Sequence, residues 1–388
     1  MEIDLSRTSA PRIDNLRLFV ALFFLGTFPS AALLYAPAIA NELVRTHHLD
    51  PRSIGLFFSV EFCGYAVAGF LGTYVLARAR LASIMRVSLV LFVLGNILSI
   101  VASGSYPLLL VMRGLTAIFG GCTLTMIGIT ACGRSENPTR ANGAFLLGQI
   151  VSGVIGLALL PSLFQRYGLS AFFVGEVLAG MLGWLIVPFL PDEAGGPAKV
   201  RAASMATRGD FLRGLALVTM IYISFSGVWT FAGAIGKSLG VPVTNIGMIL
   251  SLSAGAGVLG AGVATISGKR FPLIAVVTVG LALLIAAVVG LASARDVTVF
   301  VVSAMLFKFA WTYTSPPLFA IIAAREKSGR LVTFSSAGIG VGLIIGPSLS
   351  GWLIQSFHGF TPALTVAACF LGAAWMLALI MYRSAVAT

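Results

Sequence analysis

Four formal charges stand inside long apolar stretches of the chain: Glu61 in SVEFCGY, Arg113 in LLLVMRGLTAIFGG, Glu176 in FFVGEVL and Lys308 in MLFKFAWTYTSPP. A charge at the centre of a bilayer costs a few kcal/mol or more, so a function is the default expectation for each. A buried cation can hold an anion. A buried carboxylate can carry a proton, because a low dielectric disfavours its charged form. Helical spacing puts Arg113, Thr116, Gly120 and Thr123 on one polar stripe. Lys308, Trp311, Thr312 and Ser315 form another, just before the Pro316-Pro317 pair. Those prolines remove two backbone donors and predict a kink. At the helical rise, Arg113 lies about 10 Å and Lys308 about 16 Å from the outer ends of their apolar runs. The alternative for each cation is a permanent pair with an acid or a carbonyl that only fixes packing. Glu61 is then either the partner of Arg113 or a proton carrier.

The elements that must position these groups are legible from composition. Of 388 residues, 58% are hydrophobic and only 10% charged, and the mean hydropathy is +1.00; soluble domains carry roughly one-quarter charged residues. About 20 apolar residues suffice for a helix to cross the hydrocarbon. Twelve such runs occur, near 17–40, 53–77, 82–102, 106–132, 141–164, 168–190, 211–235, 245–268, 271–293, 297–323, 331–355 and 360–382. The seventh carries Gly227, Gly233 and Gly236, which predict a weak C-terminal part. The expected fold class is an all-α integral membrane protein of twelve transmembrane helices. The polar opening MEIDLSRTSAPRIDNLR and the length of the first run read as a membrane helix rather than a cleavable signal.

The net charge of +12 is unevenly placed. Eighteen of the 25 Lys and Arg residues, among them Arg12, Arg17, Arg86, Arg140, Arg208 and Arg270, fall on one side of the twelve runs. Five fall on the other: Arg45, Arg52, Arg166, Lys237 and Arg295. By the positive-inside rule this predicts cytoplasmic N- and C-termini. The basicity is thereby topological, and nucleic-acid binding has no support. Cys63, Cys122, Cys132 and Cys369 all fall within proposed helices, and no metal-ligand or cofactor motif appears. His47, His48 and His358 lie near helix ends, no catalytic constellation is formed, and no phosphate-cradling loop is present. The expectation is no enzyme, no metal and no cofactor.

The longest polar stretch, PDEAGGPAKVRAASMATRGD at 191–210, reads as a cytoplasmic linker between an N-terminal bundle, 1–190, and a C-terminal bundle, 211–388. The two share a pattern. GLALLPSL at 156–163 aligns with GLIIGPSL at 342–349, matching Gly156, Pro161, Ser162 and Leu163 to Gly342, Pro347, Ser348 and Leu349. Parallel six-helix repeats with a site between halves are a recurring transporter design. Small-residue runs such as SLSAGAGVLGAG at 251–262 permit close helix approach, and Pro29 and Pro37 predict bends in the first helix.

With these features the chain resembles the major facilitator superfamily. Arg113 stands at the arginine of that family's arginine-then-glycine motif in the fourth helix, with Ala117 where glycine is common. The family's loop motif between the second and third helices is poorly kept. GTYVLARAR has Gly72, Arg78 and Arg80, but Leu76 and Ala77 where an aspartate is expected.

The resemblance implies that helices one, four, seven and ten line a central cavity, so that Arg113 and Lys308 face one water-filled space. It implies a secondary transporter for a small organic solute, and two cations favour an organic anion or carboxylate. Tyr35, Gln149, Tyr222, Trp229, Trp311, Thr312 and Ser315 are further substrate-contact candidates, with Glu61 as the proton-coupling group. Glu176, on a helix the resemblance places at the periphery, reads as structural. The expected partners are a small-molecule substrate, protons and the lipid bilayer of a bacterial inner membrane, with the protein acting as a monomer. The alternative is a proton-driven drug or metabolite exporter of broad specificity, and less favoured is a non-transporting receptor of the same fold.

Overall fold

A computed structural model describes residues 12–71, 80–190, 207–324 and 330–386. The loop motif at 72–79 and most of the expected linker, 191–206, lie outside the described residues. Hydrocarbon offers no water to backbone N–H and C=O groups, so each apolar run closes its hydrogen bonds on itself as a helix.

Twelve spans result. The first, α1, comes in three pieces, Arg12–Thr27, Ala31–Leu34 and Ala36–His47. The breaks fall beside Pro29 and at Tyr35, whose successor helix opens with a proline in its first turn. There follow α2 (Pro51–Leu71), α3 (Leu81–Ala102), α4 (Tyr106–Arg134), α5 (Pro138–Tyr167) and α6 (Ser170–Phe189). The second set is α7 (Arg208–Ser238), α8 (Val243–Arg270), α9 (Leu273–Ser293), α10 (Val297–Ala324), α11 (Arg330–Phe357) and α12 (Thr361–Val386). Among the described residues ten of these are long and apolar enough to cross a membrane by themselves; α2 and the segmented α1 complete the set. The expected fold class is borne out.

Three expectations are corrected. The glycines of α7 do not weaken it: the helix runs unbroken for 31 residues, opened by a reciprocal capping box between Thr207 and Asp210. Its glycines are packing sites. A Cβ at Gly227 would meet Ser350, and one at Gly233 would meet Asn41 and the Pro37 carbonyl. The start of α7 at Arg208 also takes residues 208–210 out of the expected linker. The Pro316-Pro317 pair likewise does not interrupt α10, which continues as a helix through both prolines.

The end of the bundle where α1 terminates at His47 is called distal here, and the opposite end proximal. His48 and His358 both adopt left-handed backbone angles, φ 51° and 53°, in distal turns. One apolar core draws on helices of both halves, from α1–α6 and from α7–α12, whereas a second core, including Leu22, Met85, Phe92 and Leu124, belongs to α1 and α3–α6 alone. Two seams, α2 with α11 and α5 with α8, carry most of the packing between the halves.

At their distal ends the seams are matched. Gly247 of α8 accepts Pro161 of α5, and Gly55 of α2 accepts the Pro347 backbone of α11. In the same way Gly156 of α5 lies under the ring of Tyr35, and Gly342 of α11 lies under Tyr222. At these four positions a side chain would occupy space that the partner helix already fills.

Candidate functional site

The four intramembrane charges separate into two environments. In the first, α2 and α4 bring Glu61 and Arg113 together. Arg113 donates from Nε to Glu61 Oε2 at 2.7 Å and from Nη2 to Glu61 Oε1 at 2.6 Å, a bidentate pair. Its Nη1 donates to Asn96 Oδ1 of α3 at 2.8 Å, and Asn96 is itself held by donating from Nδ2 to the Phe92 carbonyl at 2.8 Å. Phe173 and Phe172 of α6 lie beneath the guanidinium, with ring centroids 5.2 and 5.9 Å from Cζ. Arg113 is 3% exposed and Glu61 5%. One turn beyond Arg113, α4 widens into a π-helical stretch, Ala117–Gly121, where Gly120 rests on Phe92 and Gly121 on the Pro29 carbonyl.

Glu176 belongs to the same place. Phe172 and Phe173 precede it by four and three residues on α6, so all three share the face of that helix that bears on Arg113. It is 7% exposed. The expectation of a peripheral position is corrected: Glu176, Glu61 and Arg113 line one small cavity of about 10 Å³, with Tyr65, Thr116 and Cys122. That is room for about one water molecule. Every residue lining it lies in α1–α6, so this cavity is not the shared space expected for Arg113 and Lys308.

The second environment is aromatic. Lys308 Nζ sits 4.1 Å from the ring centroid of Trp229 and 5.3 Å from that of Phe225. Trp311 stacks on Phe225 at 3.8 Å between centroids, and Tyr222 meets Trp311 edge-on at 4.8 Å. Among the described residues Lys308 has no carboxylate partner and no hydrogen bond. Ring faces alone hold its charge, an interaction of about 2 kcal/mol when desolvated. Its three N–H donors are open to a ligand.

The remaining candidates hold the frame. Tyr35 and Ser152 of α5 are joined through their hydroxyls, and Ser152 also donates to the Thr27 carbonyl at 2.7 Å. Gln149 donates to Ser30 Oγ at 3.2 Å. Thr312 donates to the Gly257 carbonyl of α8 at 2.6 Å, and Ser315 to the Trp311 carbonyl at 2.9 Å. Thr312 thus serves the α8–α10 contact although it shares a stripe with Lys308.

The two environments meet at the break in α1. Trp229 donates from Nε1 to the Leu34 carbonyl at 3.3 Å, and Phe172 meets Tyr35 edge-on at 6.3 Å. Lys308, Trp229, the Leu34–Tyr35 step, Phe172 and Arg113 form one contact chain across both halves. Around it the distal ends are tied by Ser59 of α2, which bonds Ser348 Oγ at 2.7 Å and donates to the Ile344 carbonyl.

A family model for the Major Facilitator Superfamily matches residues 18–325. The chain belongs to this superfamily. It is accordingly a multi-pass membrane transporter that takes small-molecule substrates, and not an enzyme. Solved structures share the fold almost end to end. A bacterial homolog of the human lysosomal transporter Spinster, inward-facing and unoccupied, matches with TM-score 0.74 and 16% identity over 96% of this chain and 98% of that one. A D-xylose-proton symporter gives TM-score 0.70 at 14% identity over 95% and 96%. The human organic anion transporter MFSD10 gives 0.65 at 16% over 95% and 100%. Likeness at such identities carries the fold and not the cargo. Comparison with curated proteins gives no match.

Sequence reasoning did not single out Asn96 or Phe225. An asparagine in the middle of α3 was the available signal for the first, since a buried amide needs a partner. Phe225 precedes Trp229 by one helical turn, yet a phenylalanine in an apolar run carries no mark of its role.

Proposed function

We propose that this superfamily member is a proton-coupled secondary transporter of a small organic anion with an apolar, ring-sized body. The observation that carries the reading is Lys308: a half-buried lysine whose ammonium is held by ring faces, with no acid beside it among the described residues. A carboxylate at Nζ would complete its hydrogen bonds while Trp229, Trp311, Phe225 and Tyr222 cover the body of the solute. Arg113 stands differently, since Glu61 and Asn96 already occupy its donors. Proton coupling is assigned to the N-terminal cluster that contains Glu61.

Transport is by rocking of two six-helix halves, 1–190 and 211–388. The matched distal contacts of Pro161 with Gly247 and Pro347 with Gly55 support that division. Distal ties at Ser59, Ser348 and Trp229 support a state closed distally. The charge asymmetry supports cytoplasmic N- and C-termini; so oriented in a bacterial inner membrane, that state is inward-facing, and the protein works as a monomer. Aromatic walls also suit lipophilic cations, the cargo of a broad exporter, but the free ammonium repels them.

The test is flux in proteoliposomes with labelled benzoate and benzylamine as probes. The reading expects accumulation of benzoate under an inwardly directed proton gradient. Movement of benzylamine without benzoate would overturn it in favour of export of cations.

A further inference from the structure

The N-terminal cluster holds two carboxylates for one guanidinium, and they are not equivalent. Glu61 receives both arms of the Arg113 fork, at 2.7 and 2.6 Å. Glu176 is more than nine-tenths buried, lines the same cavity, and among the described residues has no hydrogen-bond donor and no cation within ion-pair distance. An ionised carboxylate left so would be a buried charge without a hydrogen-bond donor, beside a guanidinium already claimed by a second carboxylate, and a neutral acid is the species that fits.

We propose that Glu176, and not Glu61, is the proton-bearing group of the transport cycle. The inference rests on the transporter reading and names the residue through which it is driven. In the geometry seen, Glu176 carries its proton and the cluster of Glu61, Arg113 and Glu176 is electrically neutral. On deprotonation the proton passes from the Glu176 carboxyl to water in the adjoining cavity and on to bulk. The cluster is left with one negative charge. Arg113 answers with the donor it can release at least cost. Nη1 leaves the neutral amide oxygen of Asn96 for the new carboxylate, while Nε and Nη2 keep Glu61.

The consequences follow the contacts. Phe172 and Phe173 lie under the guanidinium on the helix that carries Glu176, so turning Arg113 moves their packing. Phe172 bears on Tyr35 at the break in α1, next to the Leu34 carbonyl that receives Trp229 Nε1. Proton loss is thereby linked to the distal closure and to the ring that faces Lys308.

The titratable groups around Glu176 are few. Glu61 and Tyr65 come from α2, and Arg113 and Cys122 from α4; Tyr35 of α1 lies within electrostatic reach. The helices packed directly on α6 are α3 and α5. Of these, α3 presents Phe92, Val93 and the neutral amide of Asn96, and α5 adds no titratable group to the cavity. Within this set the Tyr35 hydroxyl is engaged with Ser152, and Glu61 is locked to Arg113. Glu176 is the carboxyl free to exchange.

The test is infrared difference spectroscopy of the full-length protein in lipid, titrated with pH, following the carbonyl stretch of a protonated carboxylic acid. Wild type is expected to show such a band near neutrality, shifted by deuterated water, and Glu176→Gln to lose it while unfolding at an unchanged temperature. No band in wild type, or a band that survives in Glu176→Gln, overturns the proposal. Because Glu61→Gln unpairs Arg113 and can impair folding, a second readout uses Glu176→Gln alone. With benzoate as probe, the ratio of proton-driven accumulation to benzoate-benzoate exchange is expected to fall at least tenfold, and an unchanged ratio overturns the assignment. The infrared arm needs no substrate, so failure of the anion reading leaves it standing, and failure of the infrared arm leaves that reading intact.

Discussion

Arg113 and Lys308 are both single cations in the middle of membrane helices, both on stripes with threonines, and both over aromatic rings. Their partners separate them. Arg113 donates to Glu61 through a fork and to Asn96 through its third nitrogen, while Lys308 touches the faces of Trp229 and Phe225 and, among the described residues, no acceptor. A buried charge whose donors are all satisfied is part of the frame; one held only by ring quadrupoles keeps its hydrogen-bonding capacity in reserve. The difference teaches that the cost of burial does not by itself mark a ligand site. What marks it is capacity left over after the protein's own partners are counted.

The largest effect that could break the comparison is on stability. Unpairing a buried ion pair leaves an uncompensated charge and costs about 3–5 kcal/mol. Arg113→Gln or Glu61→Gln should therefore lower resistance to chemical unfolding by about that amount, and the double variant should recover much of it. Lys308→Gln, with no acid to unpair, should leave stability nearly unchanged. Equal losses at the two cations would erase the distinction.

Next in size is the reverse effect on binding. A hydrogen bond to a charged group contributes about 1.5–3 kcal/mol, so Lys308→Gln should weaken benzoate binding by roughly 10–100-fold, read by titration calorimetry. Binding that survives unchanged would move the anion contact elsewhere.

Smaller still is the link between the two environments. Trp229→Phe keeps a ring face for Lys308 and removes the donor to Leu34, a loss of about 0.5–1.5 kcal/mol. Distal closure should loosen, raising the labelling rate of Asn41→Cys by an impermeant maleimide up to about tenfold. No change would uncouple Trp229 from the closure.

The smallest expected effect is at Thr312. Thr312→Val removes the hydroxyl that reaches Gly257 and should cost about 1 kcal/mol of stability, with benzoate affinity preserved. A loss of affinity would return Thr312 to the substrate site.

Much of the architecture was legible because lipid imposes it: a run of about 20 apolar residues has few options besides a helix. Pro29 and Pro37 announced the breaks in α1, and the repeated Gly-Pro-Ser pattern announced helices whose glycines and prolines meet a partner. The strength of α7 was not legible. At Gly227 and Gly233 propensity counts the cost of a missing side chain and cannot see Ser350 or Asn41, which fill the space.

For the site, spacing along one helix puts Lys308 and Trp311 on one stripe, and both meet Phe225, but spacing cannot say which neighbour a face meets. Thr312 belongs to the same stripe and points its hydroxyl at α8. Glu61 and Arg113 lie on different helices, so the choice between a pair and a proton carrier depended on packing. Resemblance places the helix of Glu176 at the periphery, and its cavity is formed only when α2, α4 and α6 assemble.

The most direct measurement is thermal unfolding of the purified protein against a panel of ring-bearing carboxylates, benzylamine and benzyl alcohol, repeated for Lys308→Gln. A ligand at 100 times its dissociation constant stabilises by about 2.7 kcal/mol. The account predicts an upward shift with carboxylates that disappears in Lys308→Gln. A shift with benzylamine alone, or a carboxylate shift that persists without the lysine, would contradict it.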